Sequence, residues 1–233
     1  IMVIVVGSLL AYLATGLKPR IEENERFEKQ QNILYAMGVN ENEGEGSVNF
    51  IPTTEVESVF TEYIKEQLVI SGGEISTDDE AYLIDMKKQL DALKRGNPAR
   101  LPDFIGEKDG KKYHIIPMYG KGLWDAIWGF VAVDEQLIVQ GIYFDHKQET
   151  PGLGANIKMR YFMDDFIGEQ ILDGERYAGI AVVKGNNDPL NTIKDDNEVD
   201  ALAGATITGN GVSAMIRESV NLYRNYFESI RSN

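Results

Sequence analysis

The sequence predicts an α+β chain: an N-terminal transmembrane helix, then helices, then a domain with a mainly antiparallel sheet and flanking helices. Three observations predict it. The chain opens on an uncharged apolar run, residues 1–17. Helical spacing then dominates as far as residue 100. From Lys112 the pattern changes to short β-branched and aromatic runs bounded by glycine and aspartate, and it closes on a long amphipathic pattern. The expected division is an anchor at 1–17, a helical connecting region at 18–100 and a folded domain at 101–233.

The first run, IMVIVVGSLLAYLATGL, gives way abruptly to KPRIEENERFEKQQ. Crossing a bilayer takes about 20 apolar residues. The chain starts on isoleucine, so the run reads as the visible part of a longer span. A signal peptide is the competing reading, but no small-residue cleavage pattern follows Leu17. Lys18 and Arg20 mildly favour a cytoplasmic domain. Glu22, Glu23 and Glu25 follow at once, so orientation stays open on the residues alone.

Residues 21–38 suit an amphipathic helix continuing from the anchor, with Ile21, Phe27, Ile33, Leu34 and Met37 as its apolar positions. NENEGEGSVNF is a loop by its Asn, Gly and Glu content. TTEVESVFTEYIKEQLVI opens on a capping-box pattern and spaces Val56, Val59, Phe60, Tyr63 and Ile64 as a helix. STDDEAYLIDMKKQLDALKRG predicts another capped helix, ending at Gly96. KYHIIPMYG, IWGFVAVD and QLIVQGIYFDH read as strands, the last two joined by a turn at Asp134 and Glu135. RYAGIAVVKG is a further strand. Residues 210–230 close the chain as a helix through Val212, Met215, Ile216, Val220, Tyr223 and Phe227. The βαβ alternation of a dinucleotide fold is absent.

Composition narrows the function. Lys and Arg number 23 against 37 Asp and Glu, a net charge of -14, which argues against nucleic acid as a partner. There is no cysteine, which excludes disulfides, cysteine-held iron–sulfur clusters and c-type haem attachment. Two histidines, His114 and His146, are too few for a histidine-rich metal site, and no metal ligand set is expected. The aspartate pairs 164–165 and 195–196 read as exposed loop charges.

Three stretches stand out from this background. YGKGLW places Leu123 and Trp124 after a glycine turn that is neither a phosphate loop nor a dinucleotide fingerprint. HKQETPGLGAN offers Glu149, Thr150, Leu153 and Gly154, with free amides and backbone that a flat ligand can approach. DALAGATITGNGV sets Thr206 and Thr208 among Ala203, Gly204 and Ala205, just ahead of the final helix. The plain reading of Thr206 is a helix cap. Two threonines one residue apart exceed what a cap needs, and a helix N-terminus suits a phosphate.

Asp-Ala-Leu-Ala-Gly-Ala-Thr, residues 200–206, resembles the flavinylation motif Asp-x-x-(Ser/Thr)-Gly-Ala-Thr of the FMN-binding domain family. Together with YGKGLW and ETPGLG it resembles the members that serve as C subunits of bacterial sodium-translocating NADH:quinone oxidoreductases, with the G subunits of Rnf complexes as relatives. The likeness covers the anchor and, most specifically, residues 119–212. One departure is Ala203, where the family commonly has Ser or Thr, so any hydroxyl contact there is lost.

The resemblance implies FMN held covalently through a phosphoester on Thr206, by a flavin transferase acting during maturation. It implies an electron relay within a multi-subunit sodium pump of the bacterial inner membrane, with a single span and the soluble domain on the periplasmic side. Thr208 is expected to hold the turn or the phosphate. Leu123, Trp124 and Leu153 would face the ring, and Thr150 and the amides of residues 150–154 would meet its polar edge. Lys184 is a weaker candidate for countering charge. No catalytic side chain is assigned, because flavin carries the chemistry and the protein positions and tunes it. The competing class is a membrane-tethered binding or assembly module without turnover, with Thr206 only a cap.

Overall fold

The computed structural model describes residues 2–44, 46–186, 188 and 190–231. Helix α1 (Met2–Ala36) is continuous, so the expected anchor and the amphipathic stretch form one rod. Ile1, the first residue of the expected anchor, lies outside the described residues. Residues 2–17 are all exposed, whereas Ile33, Leu34, Tyr35 and Ala36 are buried. Among the described residues α1 is the one helix long and apolar enough to cross a membrane.

Helix α2 (Val56–Tyr63) starts on the predicted spacing but stops sooner. The chain passes directly into strand β1 (Ile64–Ser71), which turns at Gly72 and Gly73 into β2 (Glu74–Thr77). Both glycines have positive φ, which a tight hairpin turn requires. Helix α3 (Met86–Lys94) is only the second half of the helix expected from Ser76. Its cap is Asp85, whose carboxylate accepts from the Lys88 amide, and Gly96 follows it with positive φ. The 18–100 stretch is therefore corrected: it is not wholly helical, and it contributes two strands to the main sheet. Val69, Ile70 and Ile75 carry the β-branched signal that helical spacing masked.

Strand β3 (Leu101–Lys108) had no counterpart among the sequence expectations, because Pro102 and Gly106 interrupt its pattern. Strands β4 (Lys111–Lys121), β5 (Ala126–Val133) and β6 (Val139–His146) match the three expected strands. The six strands form one antiparallel sheet in the order β2-β1-β3-β4-β5-β6. A short helix, α4 (Arg160–Met163), leads to the small antiparallel pair β7 (Leu172–Asp173) and β8 (Arg176–Tyr177). The single strand expected in RYAGIAVVKG is in fact two pieces, broken at Gly179 with its positive φ. The second piece, β9 (Ala181–Val183), pairs in parallel with β10 (Glu198–Asp200). The closing helix starts earlier than expected, as α5 (Thr206–Leu222), and breaks at Tyr223 before α6 (Arg224–Arg231).

Strand register assigns the two faces. Phe104 lies opposite Ile115, Pro117 opposite Phe130, and Phe130 opposite Tyr143, so these share one face. The end of α1 covers that face, where Tyr35 meets Tyr143 edge-on. Gly141 leaves room for the Ala36 carbonyl, which a β-carbon would strike. The opposite face carries His114, Gly120 and Phe144, and is covered by α5, α6 and the aromatic cluster of Phe162 and Phe166. Here His114 Nδ1 lies 2.7 Å from Asp103 Oδ2, which also accepts from the Tyr226 hydroxyl at 2.8 Å. That buried trio joins β3, β4 and α6, which gives His114 a structural place.

Candidate functional site

The three singled-out stretches are far apart in sequence and meet at the start of α5 (Thr206–Leu222). Antiparallel pairing of β4 with β5 brings YGKGLW to one end of the sheet, and β6 ends beside it and runs into ETPGLG. Helix α5 lies across this end because its glycines permit it. A β-carbon on Gly211 would strike the Lys121 carbonyl, and one on Gly209 would press on Val182. On the strand side, a β-carbon at Gly120 would press on Met215. The GNG stretch, poor in helix propensity, is a packing feature.

The backbone turns into α5 at Gly204, whose φ of +73° suits glycine. Ala205 is the residue preceding the helix, and Thr206 is its first residue. Thr206 is exposed and the cap position is taken by Ala205, so the cap reading is corrected. Thr208 differs completely. It is 1 % exposed, and its hydroxyl donates to Glu149 Oε2 at 2.6 Å.

Glu149 is buried at 5 % exposure and holds the other two motifs as well. Its Oε1 accepts from the Trp124 amide at 3.0 Å. Its own amide donates to His146 Nδ1 at 3.2 Å, which places His146 as a support for the loop. Neither Gly122 nor Gly154 leaves room for a β-carbon against this carboxylate. The Trp124 indole N–H donates to the Thr150 hydroxyl at 3.1 Å, tying the two loops a second time. The Leu153 and Ala155 amides both donate to the Thr150 carbonyl. The Leu153 amide is therefore spent inside the turn, a correction to the expectation that residues 150–154 offer a row of free amides.

A cavity of about 250 Å³ opens between these elements, lined by Leu123, Glu149, Thr150, Leu153, Gly154, Gly204, Ala205, Thr206, Ile207 and Thr208. Nine of the twelve residues singled out from sequence thus surround one space. Trp124 is outside this lining, bonded to Thr150, and is 65 % exposed. Ala203 is exposed in the turn, and Lys184 is exposed just past the end of β9, outside the cavity lining. Ile207 was missed by sequence reasoning: it is exposed between two threonines in a first helical turn, a position where an apolar side chain has no core to enter. Gly122 was read only as part of a glycine turn, and His146 only as one of too few histidines for a metal site; both support Glu149, which lines the cavity. Asp165, read as an exposed loop charge, is partly buried, and burial raises its carboxyl above the ordinary range.

The chemistry of the space is mixed. Leu123, Leu153 and Ile207 give exposed apolar surface, while the first amides of α5 lack helical acceptors. The first turn of α5 carries no acidic side chain to compete for its positive end. Beside Trp124, the Ala126 amide and the Lys147 ammonium hold the Asp125 carboxyl below its usual range. Among the described residues there is no group of acidic or histidine side chains able to hold a metal ion.

Comparison with known proteins places this geometry. The family model described as FMN-binding domain matches residues 122–221. The C subunit of the Na(+)-translocating NADH-quinone reductase of Yersinia pestis is 32% identical, over 91% of this chain and 82% of that protein. The corresponding C subunit of Vibrio alginolyticus is 30% identical, over 90% of this chain and 82% of its own length. The crystal structure of the C subunit from Parabacteroides distasonis superimposes with a TM-score of 0.74 at 30% identity, covering 91% of this chain and 96% of that one.

Proposed function

The chain belongs to the family of C subunits of Na(+)-translocating NADH-quinone reductases, and from that premise we propose that it relays electrons through FMN attached to Thr206. The observation that carries the attachment point is the contrast between the two threonines. Thr206 presents an exposed hydroxyl at the cavity, while Thr208 is buried with its hydroxyl given to Glu149.

The residues fit such a group. Gly154 and Gly204 line the cavity with backbone, and a β-carbon on either would strike side chains that also line it, Glu149 and Thr208 for Gly154 and Leu153 for Gly204. The Thr206 hydroxyl would hold FMN through a phosphoester, its proton leaving with the group displaced from phosphorus, and the unpaired amides at the start of α5 would favour the remaining phosphate charge. At about 250 Å³ the cavity is below the usual range for enclosing a drug-sized ligand, so Leu123, Trp124, Leu153 and Ile207 at its margin supply the rest of the apolar cover. Ala203 adds no hydroxyl, and the turn is held without one by Gly204 and the Ala205 amide, which donates to the Leu202 carbonyl. Lys184 is at most a long-range counter-charge. FMN, when bound, supplies reversible electron transfer; the chain positions it and excludes water.

The membrane complex supplies the setting. Helix α1 anchors the protein among its partner subunits in the bacterial inner membrane, with the folded domain on the periplasmic side. A flavin transferase installs the cofactor. Peptide mass mapping of protein from a flavinylating host tests the assignment: FMN less water on Thr206 supports it. An unmodified Thr206, or the adduct on Thr208, refutes it.

A further inference from the structure

We propose that the buried Glu149 carboxylate and the Thr208 hydroxyl form a lock that positions Thr206 for flavin attachment. The inference rests on the reading of Thr206 as the attachment point and assigns how that hydroxyl is held in place.

Four observations meet at Glu149. Its two oxygens reach different elements: Oε2 takes the Thr208 hydroxyl of α5, and Oε1 takes the Trp124 amide of the β4–β5 turn. Its amide is held by His146 at the end of β6. Gly122 and Gly154 are stripped to backbone against the carboxylate, so it is enclosed on both sides. The residue is buried, and a carboxylate there without partners would be costly; the hydroxyl and the amide are what keep it in place.

The consequence falls on Thr206 through helix geometry. Thr206 and Thr208 lie in the first turn of one helix, so fixing the second fixes the direction of the first. Ala205 precedes that turn without a side-chain cap, and Gly204 before it has the conformational freedom of glycine. Without the lock, the first turn of α5 would depend on packing further along, at Gly209 and Gly211. Glu149 and Thr208 are thus positioning residues, and the same bond removes Thr208 from competition as the modified hydroxyl.

Three full-length variants test this in a flavinylating host: Thr208→Val, Thr208→Ser and Glu149→Gln. Valine keeps the shape and loses the hydroxyl; serine keeps the hydroxyl. Thr208→Val should carry FMN on a fraction of molecules about tenfold lower than the parent, the scale of a lost hydrogen bond to a charged group. Thr208→Ser should stay within about twofold of the parent. In flavin-free protein, hydrogen exchange at the amides of residues 206–209 should quicken in Thr208→Val and stay parental in Thr208→Ser. Glu149→Gln can still bridge both partners by reversing one bond, and should retain attachment. Parental loading and exchange in Thr208→Val would overturn the lock. So would equal loss in the valine and serine variants, or loss in Glu149→Gln with undisturbed exchange. If the parent itself carries no FMN on Thr206, the attachment reading fails, and the exchange data still decide whether the lock holds the turn.

Discussion

At the scale of single residues, the proposed function divides attachment from tuning. On that proposal Thr206 offers the bond, whereas Trp124 and Thr150 are joined to each other by the indole N–H. Trp124→Ala or Thr150→Ala should therefore leave FMN covalently bound, yet shift its midpoint potential and slow electron transfer. Redox titration of both variants checks this, and parental potentials in both would place the ring elsewhere. A second prediction concerns Glu169, fully buried between Lys194 and Asn191. Burial raises its carboxyl from 4.5 to about 7, against the opposing pull of Lys194 and the Asn191 amide. A raised acid binds its proton more tightly folded than unfolded. Its stabilisation is complete below about pH 4.5 and is lost as pH rises through about 7. Across that window the loss is at most about 1.4 kcal/mol per pH unit. Partly buried Asp165 is raised for the same reason and acts in the same direction. Thermal unfolding of the parent and of Glu169→Gln from pH 5 to 8 should show the flatter profile in the variant; equal slopes would remove Glu169 as the cause.

At the scale of elements, α5 is placed by what its glycines omit. Gly211 packs against the Lys121 carbonyl, which belongs to the sheet and has no freedom to retreat. Gly211→Ala should therefore destabilise by about 1–3 kcal/mol despite alanine's better helix propensity. It should also widen the cavity mouth and lower flavin loading; denaturant unfolding and intact mass read the two effects. A gain in stability would mean that α5 sits further out. This element shows what the sequence made legible. The core strands β4, β5 and β6 were readable because β-branched and aromatic residues are dense enough to outweigh the internal Pro117, Gly129 and Gly141. The site was readable because small residues gather around Thr206 and in ETPGLG, where bulk would be excluded. Strand β1 was not, since Ile64 continues the helical spacing of Val56, Val59, Phe60 and Tyr63, and only pairing with β3 makes it a strand. Strand β3 was hidden by Pro102 and Gly106, whose roles depend on tertiary neighbours: Gly106 sits against Met37 and Ile115. Glu149 was picked out for its motif, but its three partners come from a helix, a strand end and a turn that only the fold brings together.

At the scale of the whole molecule, α1 divides into an exposed apolar stretch and a buried one, and the border between them can be located. Residues 2–17 of α1 are exposed and uncharged, and the stretch through Glu25 remains exposed, so the folded domain owes nothing to them. Further along the same helix, Ile33, Leu34, Tyr35 and Ala36 are buried in the core, and Gln31 donates to the Ile51 carbonyl. Continuity of α1 means that the anchor's direction is transmitted directly into the face of the sheet it covers, without a flexible linker. Two truncations separate the roles. Removing residues 1–17 should give a soluble domain with a parental unfolding midpoint that still accepts FMN but no longer joins the membrane complex. Removing residues 1–36 takes away the buried side chains of Ile33, Leu34 and Tyr35 together. Each core loss of that kind costs about 2–5 kcal/mol for a large residue, against a total stability of about 5–15 kcal/mol. The longer deletion should therefore fail to fold, showing no cooperative transition by circular dichroism. Equal stability in the two truncated chains would mean that the end of α1 merely rests on the sheet. Native-affinity recovery of the shorter deletion with partner subunits would mean that the domain, and not the anchor, makes the main attachment to the complex.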